Sequence, residues 1–203
     1  MQNKNHICFD LDGVLIESID LMKYSWENTA NFFDVDINFE EFKKFIGLSL
    51  EGIMKNLDLP NGYELIKYYK MISATNLDKI KVKEKTIENL ENLSKNYIIS
   101  IYTSKTQERV DKIIDFYFKS INFDSILTSD EVKNPKPDPE GLIKICNLVN
   151  SFPEQTIYVG DTNYDFLASK KANIDFVYAS WGYGEVENSK YKIDNIGQLS
   201  KFL

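Results

Sequence analysis

Short apolar runs and longer amphipathic stretches alternate along most of this chain. Ile7–Phe9 is apolar, too brief for a helix, and leads straight into the turn-forming Asp10–Gly13. That pattern predicts a buried strand. Asn96–Ser104, Phe123–Asp130, Thr156–Asp161 and Asp175–Ser180 are further runs rich in β-branched and aromatic residues, and predict four more strands. Between the later runs the period becomes helical. Val110, Ile113, Ile114 and Tyr117 share one face, and Leu142, Ile145, Cys146 and Val149 share another. Alternation of this kind predicts an α/β fold, a Rossmann-like parallel sheet with helices on both faces.

The first crossover does not fit the alternation. A parallel crossover needs only a dozen or so residues, yet no strand pattern is visible between Val14 and Tyr97. Met22, Trp26, Thr29 and Phe33 form one helical stripe. Helical stretches over Phe39–Gly47, Leu48–Leu57 and Gly62–Leu77 follow, punctuated by Gly47, Pro60 and Gly62. Lys85–Tyr97 reads as the helix that returns the chain to the sheet. The expected division is a sheet domain of residues 1–15 and 83–203 and an inserted all-helical domain of residues 16–82. No internal repeat is visible.

Ligands of an open parallel sheet bind beyond the carboxyl ends of its strands. The residues after each run therefore carry the functional reading. The first run ends in Asp10-Leu11-Asp12-Gly13 and the second in Thr103-Ser104-Lys105. The fourth ends in Gly160-Asp161, with Asp165 one helical turn on, and Lys136 lies in the Asn134–Pro139 loop after the third. Singly, each has an ordinary structural explanation. An Asp-x-Asp pair before glycine suits an exposed turn, Lys136 a solvated loop, and Asp161 and Asp165 a helix cap and a first-turn charge. Together they place four carboxylates, a hydroxyl and a lysine on one rim. Carboxylates that close raise one another's pKa, and a divalent cation relieves them. Oxygen ligands plus water suit Mg²⁺. The single histidine, His6, precedes the first run, and both cysteines, Cys8 and Cys146, fall in apolar patterns, so zinc is not expected.

Composition narrows the classes. With 43% hydrophobic residues the chain can build a sizeable core. A net charge of −7 argues against a nucleic-acid partner, which calls for a basic stripe. The two cysteines read as buried thiols of a reducing compartment. Met1–Asp10 lacks the apolar core of a signal peptide, and no run reaches membrane-spanning length. A cytoplasmic protein with no membrane partner is expected. The oligomeric state is not readable, and a monomer is the working expectation.

The ordered set of strand-end residues resembles the haloacid dehalogenase superfamily of phosphohydrolases. Asp10–Val14 is similar to its first motif, Thr103 within Ile101–Lys105 to the second, Lys136 within Lys136–Pro139 to the third, and Gly160–Asp165 to the fourth. The likeness covers nearly the whole chain. The helical insert and Trp181–Gly184 resemble the branch of phosphoglycolate phosphatases and β-phosphoglucomutases, where such an insert is a cap. The resemblance implies a Mg²⁺-dependent phosphatase that works through an aspartyl-phosphate on Asp10. Asp12 would be general acid and then general base. Asp10, Leu11, Asp12, Thr103, Ser104 and Lys136 would surround the phosphoryl group. Asp10, the Asp12 backbone carbonyl and Asp161 would hold Mg²⁺, and Asp165 would orient the ion's waters. Lys136 would also offset charge on Asp10.

Two departures bear on the branch. Glu17 stands where the cap hinge often has Asp, with little expected effect. The mutases carry a histidine early in the cap, and Ile16–Trp26 has none, so a phosphosugar mutase of the β-phosphoglucomutase type is the alternative rather than the lead. Asp12 counts against the dehalogenase and phosphonatase branches, which typically lack a carboxylate there. A non-catalytic binding module ranks last, because every motif residue is present. Substrate choice would then fall to the cap, with Gly47, Ser49 and Glu51 as candidate contacts. Trp26 fits the apolar stripe of its helix, and Tyr63, Tyr68 and Tyr69 read as cap packing. A capped site favours a small phosphorylated metabolite, such as phosphoglycolate, a sugar phosphate, or a polyol or amino-alcohol phosphate.

Overall fold

The computed structural model describes residues 4–59 and 62–203. Pro60, one of the expected helix breakers, lies outside them. Six strands form one sheet: β1 (His6–Phe9), β2 (Ile98–Tyr102), β3 (Ser125–Leu127), β4 (Thr156–Gly160), β5 (Asp175–Ala179) and β6 (Tyr191–Ile193). Every pair is parallel, in the order β3-β2-β1-β4-β5-β6. The five expected runs become β1 to β5, and β6 is additional. His6 opens β1 rather than preceding it.

Side chains alternate across β1. Ile7 and Phe9 join Ile99, Ile101, Ile157, Val159 and Val177 in one apolar cluster, while Cys8 joins Tyr102, Tyr158, Leu142 and Cys146 in the other. Burying each such aliphatic side chain contributes about 2 kcal/mol. Helices α5 (Thr86–Leu93) and α6 (Gln107–Tyr117) cover the first face through Leu90, Val110 and Ile113. Helices α7 (Glu140–Leu148) and α8 (Asn163–Lys171) cover the second through Leu142, Ile145 and Ala168. Cys8 and Cys146 are both buried and free. No helix among the described residues is long and apolar enough to cross a membrane.

Between β1 and β2 lie α1 (Ile19–Phe33), α2 (Phe39–Lys43), α3 (Leu50–Asn56) and α4 (Gly62–Ala74). They surround an apolar cluster of their own, built on Trp26, Phe42, Ile53, Met54, Leu65 and Tyr69. Trp26 is fully buried, stacks on Phe42 with centroids 4.8 Å apart, and donates its indole N–H to the Ile37 carbonyl at 2.9 Å. Tyr68 stacks on Phe32, but Tyr63 in the first turn of α4 is 76% exposed and contributes little packing. The chain enters and leaves this insert at one place. Glu17 and Lys81 exchange both backbone hydrogen bonds, at 2.7 and 3.0 Å.

Candidate active site

The strand order reverses between β1 and β4, and crevices at such a point are where open α/β sheets bind ligands. Asp10 directly follows β1 and Asp161 directly follows β4, so the topology sets them side by side. Asp10, Asp161 and Asp165 each present a carboxylate oxygen within 4.8 Å of the others, and all three are buried. Lys136, 2% exposed, reaches Asp10 Oδ1 and Asp165 Oδ1, each at 2.9 Å. The rings of Tyr102 and Tyr158 flank its ammonium at 5.0 and 5.3 Å, a geometry in which aromatic faces attract a cation.

Asp165 has all its partners within the protein. Its Oδ1 accepts from the Tyr158 hydroxyl at 2.8 Å, and its Oδ2 from the Thr162 backbone N–H at 3.0 Å and the Thr162 hydroxyl at 2.6 Å. Thr162, not Asp161, is therefore the N-cap of α8, in a capping box with Asp165. That leaves Asp161 facing the crevice. Its Oδ2 accepts the Tyr183 backbone N–H at 2.7 Å, and its Oδ1 is buried with no hydrogen-bond partner among the described residues.

The electrostatics follow from this arrangement. Burial pushes the Asp10 carboxyl up to about 7, with Lys136 opposing and Asp165 and Asp12 reinforcing. Burial, then the charges of Asp165 and Asp10, push Asp161 well above its ordinary range. Asp165 is buried too, yet Lys136 and its hydrogen bonds hold it below that range. Burial works against the Lys136 charge, but Asp10 and Asp165 outweigh it and hold the ammonium above its ordinary value. An orphaned buried oxygen costs about 1–3 kcal/mol, more when charged. The chemistry of this donor set, with a bare Asp161 oxygen beside Asp10, fits a hard divalent cation.

The Asp12 side chain turns away from this cluster. Its Oδ2 lies 2.7 Å from Lys105 Nζ, and its Oδ1 accepts from the Ser18 hydroxyl. The Tyr183 hydroxyl in turn accepts the Ser18 backbone N–H. Gly13 permits the turn at φ +76°, and a Cβ there would run into the Asp161 carboxylate. Leu11 is fully buried among the sheet's apolar residues. Thr103, 1% exposed just past β2, accepts the Lys105 backbone N–H at 3.2 Å. The Ser104 hydroxyl donates to the Gly47 carbonyl at 2.7 Å, joining sheet to insert.

A cavity of about 80 Å³ opens between the sheet rim and the insert, lined by Asp10, Asp12 and Asp161 from below and by Gly47 and Glu51 from above. Ser49 is not among its lining residues; its hydroxyl accepts the Gly52 N–H at 3.2 Å and caps α3. Arg109, Lys70 and Ser18 are site residues that sequence reasoning passed over, and Lys105 and Tyr183 lay in stretches it singled out without giving them a role. The available signals were Lys105 following two strand-end hydroxyls and Arg109 being the chain's one arginine.

The model of the haloacid dehalogenase-like hydrolase family matches residues 7–179. The chain belongs to this family. Among named relatives of this haloacid dehalogenase-like hydrolase, pyrophosphatase PpaX of Bacillus mycoides is 30% identical over 207 residues, covering 98% of this chain and 96% of the relative. A Lactobacillus plantarum structure, provisionally assigned as a phosphoglycolate phosphatase, matches with a TM-score of 0.91 at 19% identity over 100% of both chains. CbbY of Rhodobacter sphaeroides, solved in complex with phosphate, matches with a TM-score of 0.84 at 17% identity, covering 97% of this chain and 96% of that one. At these identities the solved structures speak for the fold.

Proposed function

We propose that this haloacid dehalogenase-like hydrolase is a Mg²⁺-dependent phosphatase that cleaves a small phosphorylated molecule through an aspartyl-phosphate on Asp10. One observation carries the reading. A buried Asp10 carboxylate is held by Lys136 at 2.9 Å, beside an Asp161 oxygen that has no hydrogen-bond partner among the described residues. This is a nucleophile next to a place for a cation. An Asp10 oxygen attacks phosphorus in line as the bond to the leaving oxygen breaks, and Asp12 gives that oxygen its proton. Asp12 then takes a proton from water, which attacks the same phosphorus, releases orthophosphate and restores Asp10. Both steps require Asp12 to swing from Lys105 and Ser18 toward the crevice. Lys136 offsets charge on Asp10 and the phosphoryl group. Thr103, Ser104 and the backbone N–H groups of Leu11 and Asp12 surround the phosphoryl oxygens. A bound Mg²⁺ would be held by Asp10, Asp161 and the Asp12 carbonyl, with Asp165 behind them, and would neutralise phosphoryl charge.

Residues 16–82 act in this reading as a cap that excludes water, hinged where Glu17 pairs with Lys81. The name of the PpaX relative adds pyrophosphate to the expected small phosphoesters.

The test is phosphate release by the full chain with Mg²⁺, over a panel of pyrophosphate, phosphoglycolate, sugar phosphates and polyol phosphates. At least one is hydrolysed, and Asp10→Asn loses on the order of 10⁴-fold in kcat or more, with an unchanged circular dichroism spectrum. Wild-type turnover by Asp10→Asn would refute the intermediate. An isomerised sugar phosphate without free phosphate would favour the mutase reading instead.

A further inference from the structure

The cavity above Asp10 also holds a set of cations that the steps above do not use. Lys70 of α4, Lys105, and Arg109 in the first turn of α6 all line it. Two of the three have carboxylate partners: Lys70 pairs with Glu51 at 3.2 Å and Lys105 with Asp12 at 2.7 Å. Arg109 makes no ion pair among the described residues. Its guanidinium donates instead to the hydroxyl of Ser73, a fully buried residue of α4. Arg109 is the one arginine among 24 lysines and arginines, and it is half-buried rather than solvated. It reaches from the sheet domain to the insert.

A guanidinium in a confined space with only a neutral partner leaves most of its donors free, in a planar fork that matches phosphate or carboxylate oxygens two at a time. The local charge balance points the same way. When Asp12 turns to the leaving oxygen, Lys105 loses its partner too. Lys105 and Arg109, neither then in an ion pair with the described residues, line the same cavity as Lys70.

We propose that Arg109, with Lys70 and Lys105, forms a second anion subsite, so that the preferred substrate carries a phosphate or carboxylate at the end remote from the bond that breaks. Inorganic pyrophosphate and short phosphorylated carboxylic acids are compounds of that class. The proposal rests on the phosphatase reading of the Asp10 site and deepens it.

The test compares kcat/KM with Mg²⁺ for pyrophosphate, for phosphoglycolate and for p-nitrophenyl phosphate, whose tail is uncharged. In Arg109→Met the ratio of either two-ended anion to p-nitrophenyl phosphate falls on the order of 100-fold, mostly through KM, and Arg109→Lys recovers part of it. Whichever two-ended anion shows the larger fall identifies the remote group. Equal losses on all three substrates, or no loss, would overturn the subsite. A second arm needs no turnover. In Asp10→Asn protein with Mg²⁺, calorimetry shows methylenediphosphonate binding at least tenfold tighter than methylphosphonate, and adding Arg109→Met removes the difference. Equal affinities before that change would also overturn the subsite. A preserved difference with no hydrolysis of any compound would sink the phosphatase reading and leave the subsite standing.

Discussion

Lys136 is one cation among three buried carboxylates, and it pairs with only two of them. The third, Asp161, is left with a bare oxygen and a strongly raised affinity for a proton. Without a cation, a neutral side chain of the same shape is better suited to that position, because it removes like-charge repulsion and keeps an acceptor for the Tyr183 N–H. Asp161→Asn therefore raises unfolding stability in EDTA by about 1–2 kcal/mol; on the proposed Mg²⁺ site, the wild type gains Tm with the ion and the variant does not. Thermal scans with EDTA and with millimolar Mg²⁺ measure both. A variant that Mg²⁺ still stabilises as it does the wild type would show that the ion is held elsewhere. Asp10 and Asp161 were legible in the sequence because a carboxylate straight after an apolar run falls at a strand's end, whereas Lys136, in a loop well past β3, was legible through its place in the set of motifs. Lys105 and Arg109 were not. A long charged side chain near a helix start gives the same pattern whether it reaches water or a cavity.

At the scale of elements, the loop before α3 decides how the insert seats on the sheet. Gly47 has φ +107°, and a Cβ there would lie 2.7 Å from Thr162 Oγ1 and 2.9 Å from the Tyr164 ring. Gly47→Ala combines a left-handed strain of about 1–2 kcal/mol with contacts that only movement of the insert relieves. The expected outcome is a loss of roughly tenfold or more in kcat/KM with a Tm lowered by only a few degrees, read by steady-state kinetics and a melt. Wild-type kinetics would show that this contact does not govern the site. The helices α1 and α4 could be read from their apolar stripes, since packing against each other demands them. Helix α8 could not, because its buried residues are Asp165, Ala168 and Ser169 and its start is set by the Thr162–Asp165 box. Strand β6 escaped notice for a related reason. It is three residues at the sheet edge with Lys192 exposed, and short charged edges lack a strand's hydrophobic pattern by design against aggregation.

The molecule as a whole separates chemistry from stability along β1. The carboxyl end of the strand delivers Asp10 to the crevice, while the amino end buries His6 between β2 and β4. Its ring nitrogens pair with Ser100 Oγ at 2.7 Å and Thr156 Oγ1 at 3.0 Å, tying three adjacent strands together. Burial lowers the imidazole pKa from 6.5 to about 4, with Asp124 opposing only in part. Between those two values the unfolded chain binds a proton at His6 and the folded chain does not, so stability falls as pH falls. The fall begins near the unfolded value, grows to about 3 kcal/mol at 1.36 kcal/mol per unit, and ends below the folded one. Carboxylates titrate in part of the same range, and Asp10, with its raised pKa, acts in the opposite sense. The difference between wild type and His6→Asn isolates the imidazole from both. Urea unfolding in EDTA at steps from pH 7.5 to pH 4.5 should give a variant that is less stable at pH 7.5, having lost one of the two ring contacts, but whose stability declines more gently with acid. Parallel profiles would mean that His6 takes up its proton within the fold, and that the sheet's amino edge is open to water where the structure shows it closed.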